Sequence, residues 1–248
     1  MKTLILFRLS FVLFLTSTFG ADMTNGVFCA DSDVESRLIA QNGAVTTNQL
    51  AAGKTYMVGN ALVELRPSTN TTFYFSGGII VDVGPKAILT LNLFDQEVKN
   101  IVSIPRKAEF GTHNISLSIG NGEYSIIYPN KDQYSSISLS TPFTSYQLSG
   151  GKYFFRVSDK SVVAYVLEGT MQVIGDKKSD KTERGKIAVA IPFSDSDSGV
   201  SDKVISSIKT VKPEETTRFS SPILMAEKKA NDVQFFIING NVVGINLR

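Results

Sequence analysis

The sequence contains few of the residues that most often build catalytic and metal sites. Its 248 residues include one cysteine, one histidine and no tryptophan. A single cysteine excludes an intramolecular disulfide, and a single histidine excludes a metal site built from several histidines. The chain must therefore be stabilised by an ordinary hydrophobic core, and any chemistry must come from other side chains.

The one histidine and the one cysteine lie in stretches that do not suggest catalysis. His113 lies in the turn-like residues 111–114 with no nucleophile motif nearby, which predicts a surface-loop histidine rather than a member of a Ser-His-Asp triad. Cys29 follows Phe28 within a polar, low-order stretch. We interpret it as an exposed free thiol, neither a lipid attachment site nor a nucleophile.

Three glutamates, Glu64, Glu123 and Glu168, lie in or beside predicted strands and are the remaining candidates for acid–base chemistry. Glycoside hydrolysis needs two carboxyl groups about 5 to 10 Å apart, and any part of a chain can supply them. The lack of tryptophan disfavours a carbohydrate-processing groove. We therefore assign no catalytic, cofactor-binding or metal-binding residue from the sequence, and we expect a protein that is not an enzyme.

The first 20 residues have the layout of a secretory signal peptide. Lys2 and Arg8 precede an apolar run at residues 9–15, and the segment ends in small residues before Ala21. The run is shorter than the roughly 20 apolar residues that a membrane span needs. An uncleaved anchor is the alternative, because residues 4–7 lengthen the run if the Arg8 side chain reaches the membrane interface. We expect an exported protein that is periplasmic, extracellular or associated with the outer membrane, with no transmembrane span in the mature chain.

Export would also remove the apparent basic character of the chain. The sequence has 25 Lys and Arg against 23 Asp and Glu, and both Lys2 and Arg8 lie in the predicted signal peptide. The mature chain is then balanced in charge. This balance gives no reason to expect binding to nucleic acid or to an anionic membrane surface.

The rest of the sequence predicts an all-β protein. Short runs of β-branched and aromatic residues recur at intervals of about eight to twelve residues, separated by Gly, Asn and Pro. We expect a low-order lead-in at residues 21–52, a β domain at residues 53–193 and a small C-terminal β hairpin extension at residues 203–248. Only residues 34–40 and 222–230 are candidates for short helices.

The strongest β signal is a hairpin. Residues 153–157 and 162–167 are rich in Val, Tyr and Phe and flank a short polar turn, which predicts a buried antiparallel pair. We expect its second strand to continue past Gly169. Residues 115–119 and 137–140 alternate apolar residues with serines, which predicts strands with one buried and one wet face.

Four short sequence motifs in the middle of the chain resemble those of the FecR domain. In order along the chain they are GNGE at residues 120–123, STP at 140–142, GGKYFFRV at 150–157 and VAYVLEG at 163–169. The similarity covers about residues 53–192. Its most specific parts are the strand words YFFRV and VLEG.

This resemblance implies an all-β extracytoplasmic domain, an irregular β-sandwich or short β-solenoid, that acts by contacting other proteins. Signalling members add a cytoplasmic segment that regulates a sigma factor and a helix that crosses the inner membrane. Because this chain begins with a predicted signal peptide, we do not expect sigma-factor regulation to carry over. We expect an exported, non-catalytic module whose partner is another envelope protein, contacted by strand addition to a sheet edge.

Two other classes of function remain open from the sequence. A carbohydrate-binding or cell-wall-binding jelly roll predicts a concave face with exposed rings, drawn from Tyr124, Tyr128, Tyr134 and Tyr146. A glycan or ester hydrolase with dispersed carboxylates is the third and least supported class.

Overall fold

The computed structural model of the protein describes residues 23–58, 61–97, 113–128, 135–174, 179–193, 203–230, 233–238 and 241–247. The predicted signal peptide lies outside these residues. The first strands are β1 (Met23–Asn25), β2 (Val27–Ala30), β3 (Val34–Ile39), β4 (Val45–Leu50), β5 (Tyr56–Met57), β6 (Leu62–Arg66), β7 (Thr71–Phe75), β8 (Ile80–Val83), β9 (Leu89–Glu97) and β10 (His113–Ile119). The later elements are β11 (Gly122–Tyr128), β12 (Ser136–Ser140), β13 (Ser145–Leu148), β14 (Gly151–Val157), β15 (Val162–Glu168), β16 (Thr170–Ile174), β17 (Ser179–Glu183), β18 (Lys186–Phe193), β19 (Lys203–Thr210), α1 (Pro213–Ala230), β20 (Val233–Ile238) and β21 (Asn241–Leu247).

The strands form two large sheets. Sheet 1 has the order β17-β16-β13-β12-β10-β9-β6-β3-β4, with β1 paired to β9, and sheet 2 has the order β19-β18-β15-β14-β11-β8-β7-β2-β5. From β6 to β19 the chain changes sheet after every one or two strands. As a result β10 and β12 pair in parallel, because β11, which connects them, lies in sheet 2. The all-β sandwich expected from the sequence is confirmed.

The period of two along each strand decides which side chains point between the sheets. In β10 the side chains of Ile115, Leu117 and Ile119 are buried, whereas the serines between them are only half-buried. Strand β12 repeats this pattern with buried Ile137 and Leu139. Successive side chains of a strand point to opposite faces, so the inward sets of both sheets meet in one continuous core.

The predicted hairpin is confirmed as β14 and β15, which pair antiparallel. The expected continuation past Gly169 is wrong, because β16 pairs with β13 in sheet 1. Gly169 has a φ of +86° and forms the corner at which the chain leaves sheet 2. The Tyr153 hydroxyl donates a hydrogen bond to the Thr170 carbonyl at 2.8 Å, which ties this corner to β14.

The two ends of the chain are more ordered than their composition suggests. The prediction of a low-order lead-in at residues 21–52 is wrong, because β1 to β4 lie between Met23 and Leu50. Their polar residues are accommodated as strands because neighbouring strands satisfy the backbone. In the predicted extension at residues 203–248, the hairpin β20–β21 is present. Strand β19 pairs with β18 in sheet 2, and α1 is longer than the short helix expected at residues 222–230.

We predict that Gly169→Ala strongly destabilises the protein. A Cβ at Gly169 would meet the Gly150 carbonyl oxygen and lie 2.8 Å from the Tyr153 hydroxyl, in addition to the unfavourable positive φ. The expected loss in free energy of unfolding is about 2 to 4 kcal/mol. Chemical denaturation measures it. The control is Gly43→Ala, which has a φ of +80° but no atom within 4 Å of the new Cβ; equal losses for both variants would contradict the close contact.

Candidate functional site

His113 is buried, so the expectation of a surface-loop histidine is wrong. It begins β10 on the same face as Ile115, and its relative exposure is 0%. Its backbone N–H donates to Ser135 Oγ at 3.1 Å, and its ring meets Tyr128 edge-on with centroids 5.4 Å apart. The alternation of buried and exposed side chains along β10 extends back from Ile115 to His113. Following this alternation two residues further in the sequence would have predicted a buried histidine. His113 is therefore a core residue.

Cys29 is also buried, contrary to the expected exposed thiol in a low-order segment. It lies in β2 between sheet 2 and the elements that cover its outer face, with a relative exposure of 0%. Burial, with a smaller contribution from the charge of Asp31, raises the pKa of the Cys29 thiol to about 12. The reactive form of cysteine is the thiolate. Cys29 is therefore an inert member of the core at neutral pH.

The three candidate glutamates each pair with a basic side chain. Glu64 contacts Arg66 at 2.5 Å, Glu123 contacts Arg156 at 2.6 Å and Glu168 contacts Lys152 at 3.1 Å; these distances join carboxylate oxygens to side-chain nitrogens. Glu64 lies in sheet 1, whereas the other two lie in sheet 2.

The spacing of these glutamates does not suit glycoside hydrolysis. Glu123 and Glu168 are paired in register with Arg156 and Lys152 of β14. Those two positions are four residues apart, about 13 Å at the rise of a β-strand. Hydrolysis of a glycosidic bond needs carboxyl groups about 5 to 10 Å apart. Among the described residues no group of three or more His, Cys, Asp or Glu side chains is arranged to hold a metal ion.

The tyrosines proposed for a carbohydrate platform are mostly inside the protein. Tyr124, Tyr128 and Tyr146 have relative exposures of 1%, 1% and 0%, and Tyr134 lies outside the described residues. Burial raises the pKa of Tyr146, whose ring packs edge-on against Phe155 with centroids 5.3 Å apart. The three described rings are therefore buried and do not form an exposed surface on which a sugar could stack, contrary to what the carbohydrate-binding alternative predicts.

Helix α1 covers an apolar outer face of sheet 2. The helix begins at Pro213 with acidic residues in its first turn and ends with Lys228 and Lys229, which suits the helix dipole. Its buried residues Phe219, Ile223 and Ala226 follow the helical spacing. They pack with buried residues of the sheet, and Phe219 lies 5.4 Å from Tyr165 and 5.8 Å from Phe154 between ring centroids.

The C-terminal part of α1 is held to sheet 2 by a cluster of charged and polar groups around Lys229. Lys229 Nζ lies 3.2 Å from Asp31 Oδ2 and 3.3 Å from Asp82 Oδ1, and it donates to Thr72 Oγ1 at 2.7 Å. Burial alone lowers the Lys229 pKa, but the charges of Asp82 and Asp31 outweigh that effect and raise it. We call these four residues the Lys229 clamp.

A second ion-pair cluster, centred on Lys152, holds the helix to β14 through Glu227, two residues before Lys229. Lys152 Nζ contacts Glu227 of the helix at 2.9 Å and Glu168 of β15 at 3.1 Å. The hydrogen bond to Glu227 is the main cause of a raised Lys152 pKa. The partners in both clusters are far apart in sequence, so no local motif could have predicted them.

The middle of the outer face of sheet 1 carries a polar row, whereas the outer face of sheet 2 is apolar. Directly paired residues form one row from β13 to β4, in the order Ser145, Ser140, Ser118, Thr90, Glu64, Arg37 and Thr47. Neighbouring amides add hydrogen bonds, including Asn92 Nδ2 to Ser118 Oγ at 2.8 Å. The row offers hydrogen-bonding groups and no aromatic ring on which a sugar could stack.

A shallow depression lies beside Thr90, Ser118 and Ser140 of this row. Its cavity volume is about 270 Å³, and no charged side chain lines it. Hydroxyl groups and small apolar side chains alone supply no acid–base pair. The lining residues are Ile88, Thr90, Ser118, Ile119, Gly120, Ser140, Thr141 and Pro142.

The strand orders of the two sheets end at four edge strands, and β4 differs from the other three. Strand β5 has two residues, β17 has the charged sequence SDKTE, and β19 carries Lys203 and Lys209. Short or charged edges resist pairing with other strands. Strand β4 has six residues, VTTNQL, with neither charge nor proline, and Val45 to Gln49 are exposed. Among the described residues it is therefore an open edge, suited to strand addition.

Comparisons with known proteins give only distant likenesses. No family model and no curated protein matches the chain. Two crystal structures of a "putative anti-sigma factor" from Parabacteroides distasonis ATCC 8503 are similar in shape. One has a TM-score of 0.43 and 9% identity and covers 71% of this chain and 68% of its own. The other has a TM-score of 0.42 and 8% identity and covers 70% and 67%. Structural similarities with TM-scores and sequence identities this low give no information about function.

The fold defines the class of this protein as an all-β, two-sheet sandwich whose second sheet is covered by one helix. Within the described residues, no helix is long and apolar enough to span a membrane.

We predict that Lys229→Met weakens the attachment of α1. The methionine keeps most of the apolar stem but removes the charge shared by Asp31 and Asp82, so we expect a loss of roughly 1 kcal/mol in free energy of unfolding. For a domain of this size the melting temperature should fall by about 2 to 4 °C. Lys228→Met, at an exposed neighbouring position, is the control. Equal melting temperatures for both variants would show that the clamp does not hold the helix.

The same clamp should depend on pH in the alkaline range. The Lys229 pKa is raised in the folded protein, so its contribution is complete below about pH 10.4, the usual lysine pKa. The contribution is lost as the pH rises through the higher folded-state pKa. The difference in stability between wild type and Lys229→Met should therefore be constant near neutral pH and shrink only in strong alkali.

Proposed function

We propose that this protein is exported and acts as a non-catalytic, FecR-like module that binds a protein of the cell envelope by strand addition to β4. The observation that carries the proposal is the open, uncharged edge of β4 at the end of sheet 1. Strand addition to such an edge supplies backbone hydrogen bonds to a partner without requiring a preformed pocket. Regulation of a sigma factor is not part of the proposal.

Export is supported by the sequence of residues 1–20, with Lys2 and Arg8 before an apolar run. A non-catalytic role is supported by the side chains that could perform chemistry. His113 and Cys29 are buried, and the three candidate glutamates form ion pairs with basic neighbours. A partner-binding role uses the surface instead, and β4 is an uncharged edge strand whose outer side has no paired strand among the described residues.

Site-specific photo-crosslinking in intact cells, followed by fractionation, tests this function. A photoreactive residue at Thr47 in β4 should give a crosslinked product in the envelope or secreted fraction. The same residue at Thr69, which is exposed in the turn between β6 and β7, should give none. The crosslinked protein should then bind the purified chain in solution, and Thr47→Lys should weaken that binding at least tenfold.

Two results would overturn the proposal. Recovery of the chain only from the cytoplasm would contradict export. Recovery from the envelope with no product at Thr47, or with equal products at Thr47 and Thr69, would contradict binding through β4.

A further inference from the structure

We propose that the β4 edge pairs with β4 of a second copy of this chain, antiparallel and about a two-fold axis at Thr47. This inference rests on the proposed function, because it uses the same edge, and it narrows the partner from another envelope protein to an identical chain. The arrangement would join two copies of sheet 1 into one continuous sheet.

The turn before β4 shows which backbone groups are free. Ala40 N–H donates to the Ala44 carbonyl at 2.9 Å, so these two residues are a hydrogen-bonded pair of the β3–β4 ladder. Hydrogen-bonded and non-hydrogen-bonded pairs alternate in an antiparallel ladder. From the register of β3 and β4, the N–H and C=O groups of Val45, Thr47 and Gln49 point away from β3. Within the described residues no strand pairs with that side of β4.

These three residues fit a second copy in antiparallel register. With Thr47 opposite Thr47 of the second copy, Val45 lies opposite the second copy's Gln49, and all three outward-pointing residues find hydrogen-bonding partners. Paired residues of an antiparallel sheet share a face. The outer faces of sheet 1 in the two copies therefore lie on the same side of the joined sheet. Threonine pairs are also favourable cross-strand neighbours.

The absence of charge in β4 favours an identical partner. A residue on a two-fold axis meets its own copy, so a charged residue in the middle of β4 would be repelled by itself. Behind the edge, Arg37 Nε and Glu35 Oε1 of β3 are 3.2 Å apart and neutralise each other. Partners of different sequence commonly use complementary charges for specificity, and β4 offers none.

Apolar side chains at the start of β4 give the pairing a further contribution. Val45, Ile39 and Leu62 are directly paired neighbours on the outer face of sheet 1. Val45 is 57% exposed and Leu62 is 40% exposed. Pairing covers Val45 in each copy. An interface of one six-residue strand falls at the small end of protein interfaces, so the dimer is expected to be weak and dependent on concentration.

Sedimentation velocity over a concentration series of the purified chain tests the dimer. The wild type should shift from monomer to dimer as concentration rises. Thr47→Lys places two like charges at the axis and should raise the dissociation constant at least tenfold. Thr69→Lys, the same change at an exposed turn, should leave it unchanged. Unaltered melting temperatures would show that both variants are folded.

Engineered cysteines test the register. Cα atoms of a hydrogen-bonded antiparallel pair are about 5.5 Å apart, within disulfide reach, so Thr47→Cys should form a disulfide-linked dimer under mild oxidation. Thr46→Cys is the matched control, because Thr46 lies opposite the second copy's Asn48 rather than its own copy. Native Cys29 is buried and its thiol pKa is raised to about 12, so it should not compete.

The results separate this inference from the proposed function. A monomer at every concentration, or equal oxidation of Thr46→Cys and Thr47→Cys, overturns pairing between copies. If the chain is monomeric and the crosslink at Thr47 contains a different protein, the proposed function stands and the second copy is excluded. If the chain is monomeric and no crosslink forms, both are overturned.

Discussion

The rest of the structure depends on burial of the two inward faces of the sandwich. Along β10 and β12 apolar side chains alternate with polar ones, so these strands bury only the set that faces the core. Strands β2 and β7 of sheet 2 are buried on both faces. Once Ile115, Leu117 and Ile119 point inward, His113 is drawn into the core with them. The same constraint buries Tyr124 and Tyr146, which removes them from any binding surface. His113, Tyr124 and Tyr146 are of residue types common in catalytic and binding sites, but here they pack in the core.

The two sheets differ on their outer faces, and this difference decides what covers them. The outer face of sheet 2 is apolar and requires a cover, which α1 and the C-terminal hairpin provide. The Lys229 and Lys152 clusters then fix the helix at defined points. Much of the outer face of sheet 1 carries hydroxyl groups, amides and the Glu64–Arg66 and Glu35–Arg37 ion pairs, which are compatible with water.

The edges show a similar division of roles. Strand β5 is short and the sequences of β17 and β19 include charged residues, whereas β4 is neither short nor charged. Soluble β proteins commonly protect their edges because an open edge invites pairing with other chains. An unprotected edge on a protein that protects its others indicates a use for that edge.

The all-β class, the positions of most central strands and the hairpin β14–β15 were predictable from the sequence, because strand alternation and turn residues are local properties. The tertiary structure alone set the turn of the chain at Gly169 into the other sheet, the formation of strands between residues 23 and 50, and the burial of Cys29. Only it brought Lys229 to Asp31 and left β4 at an edge. These features depend on contacts between residues far apart in the chain, about which local sequence patterns carry no information.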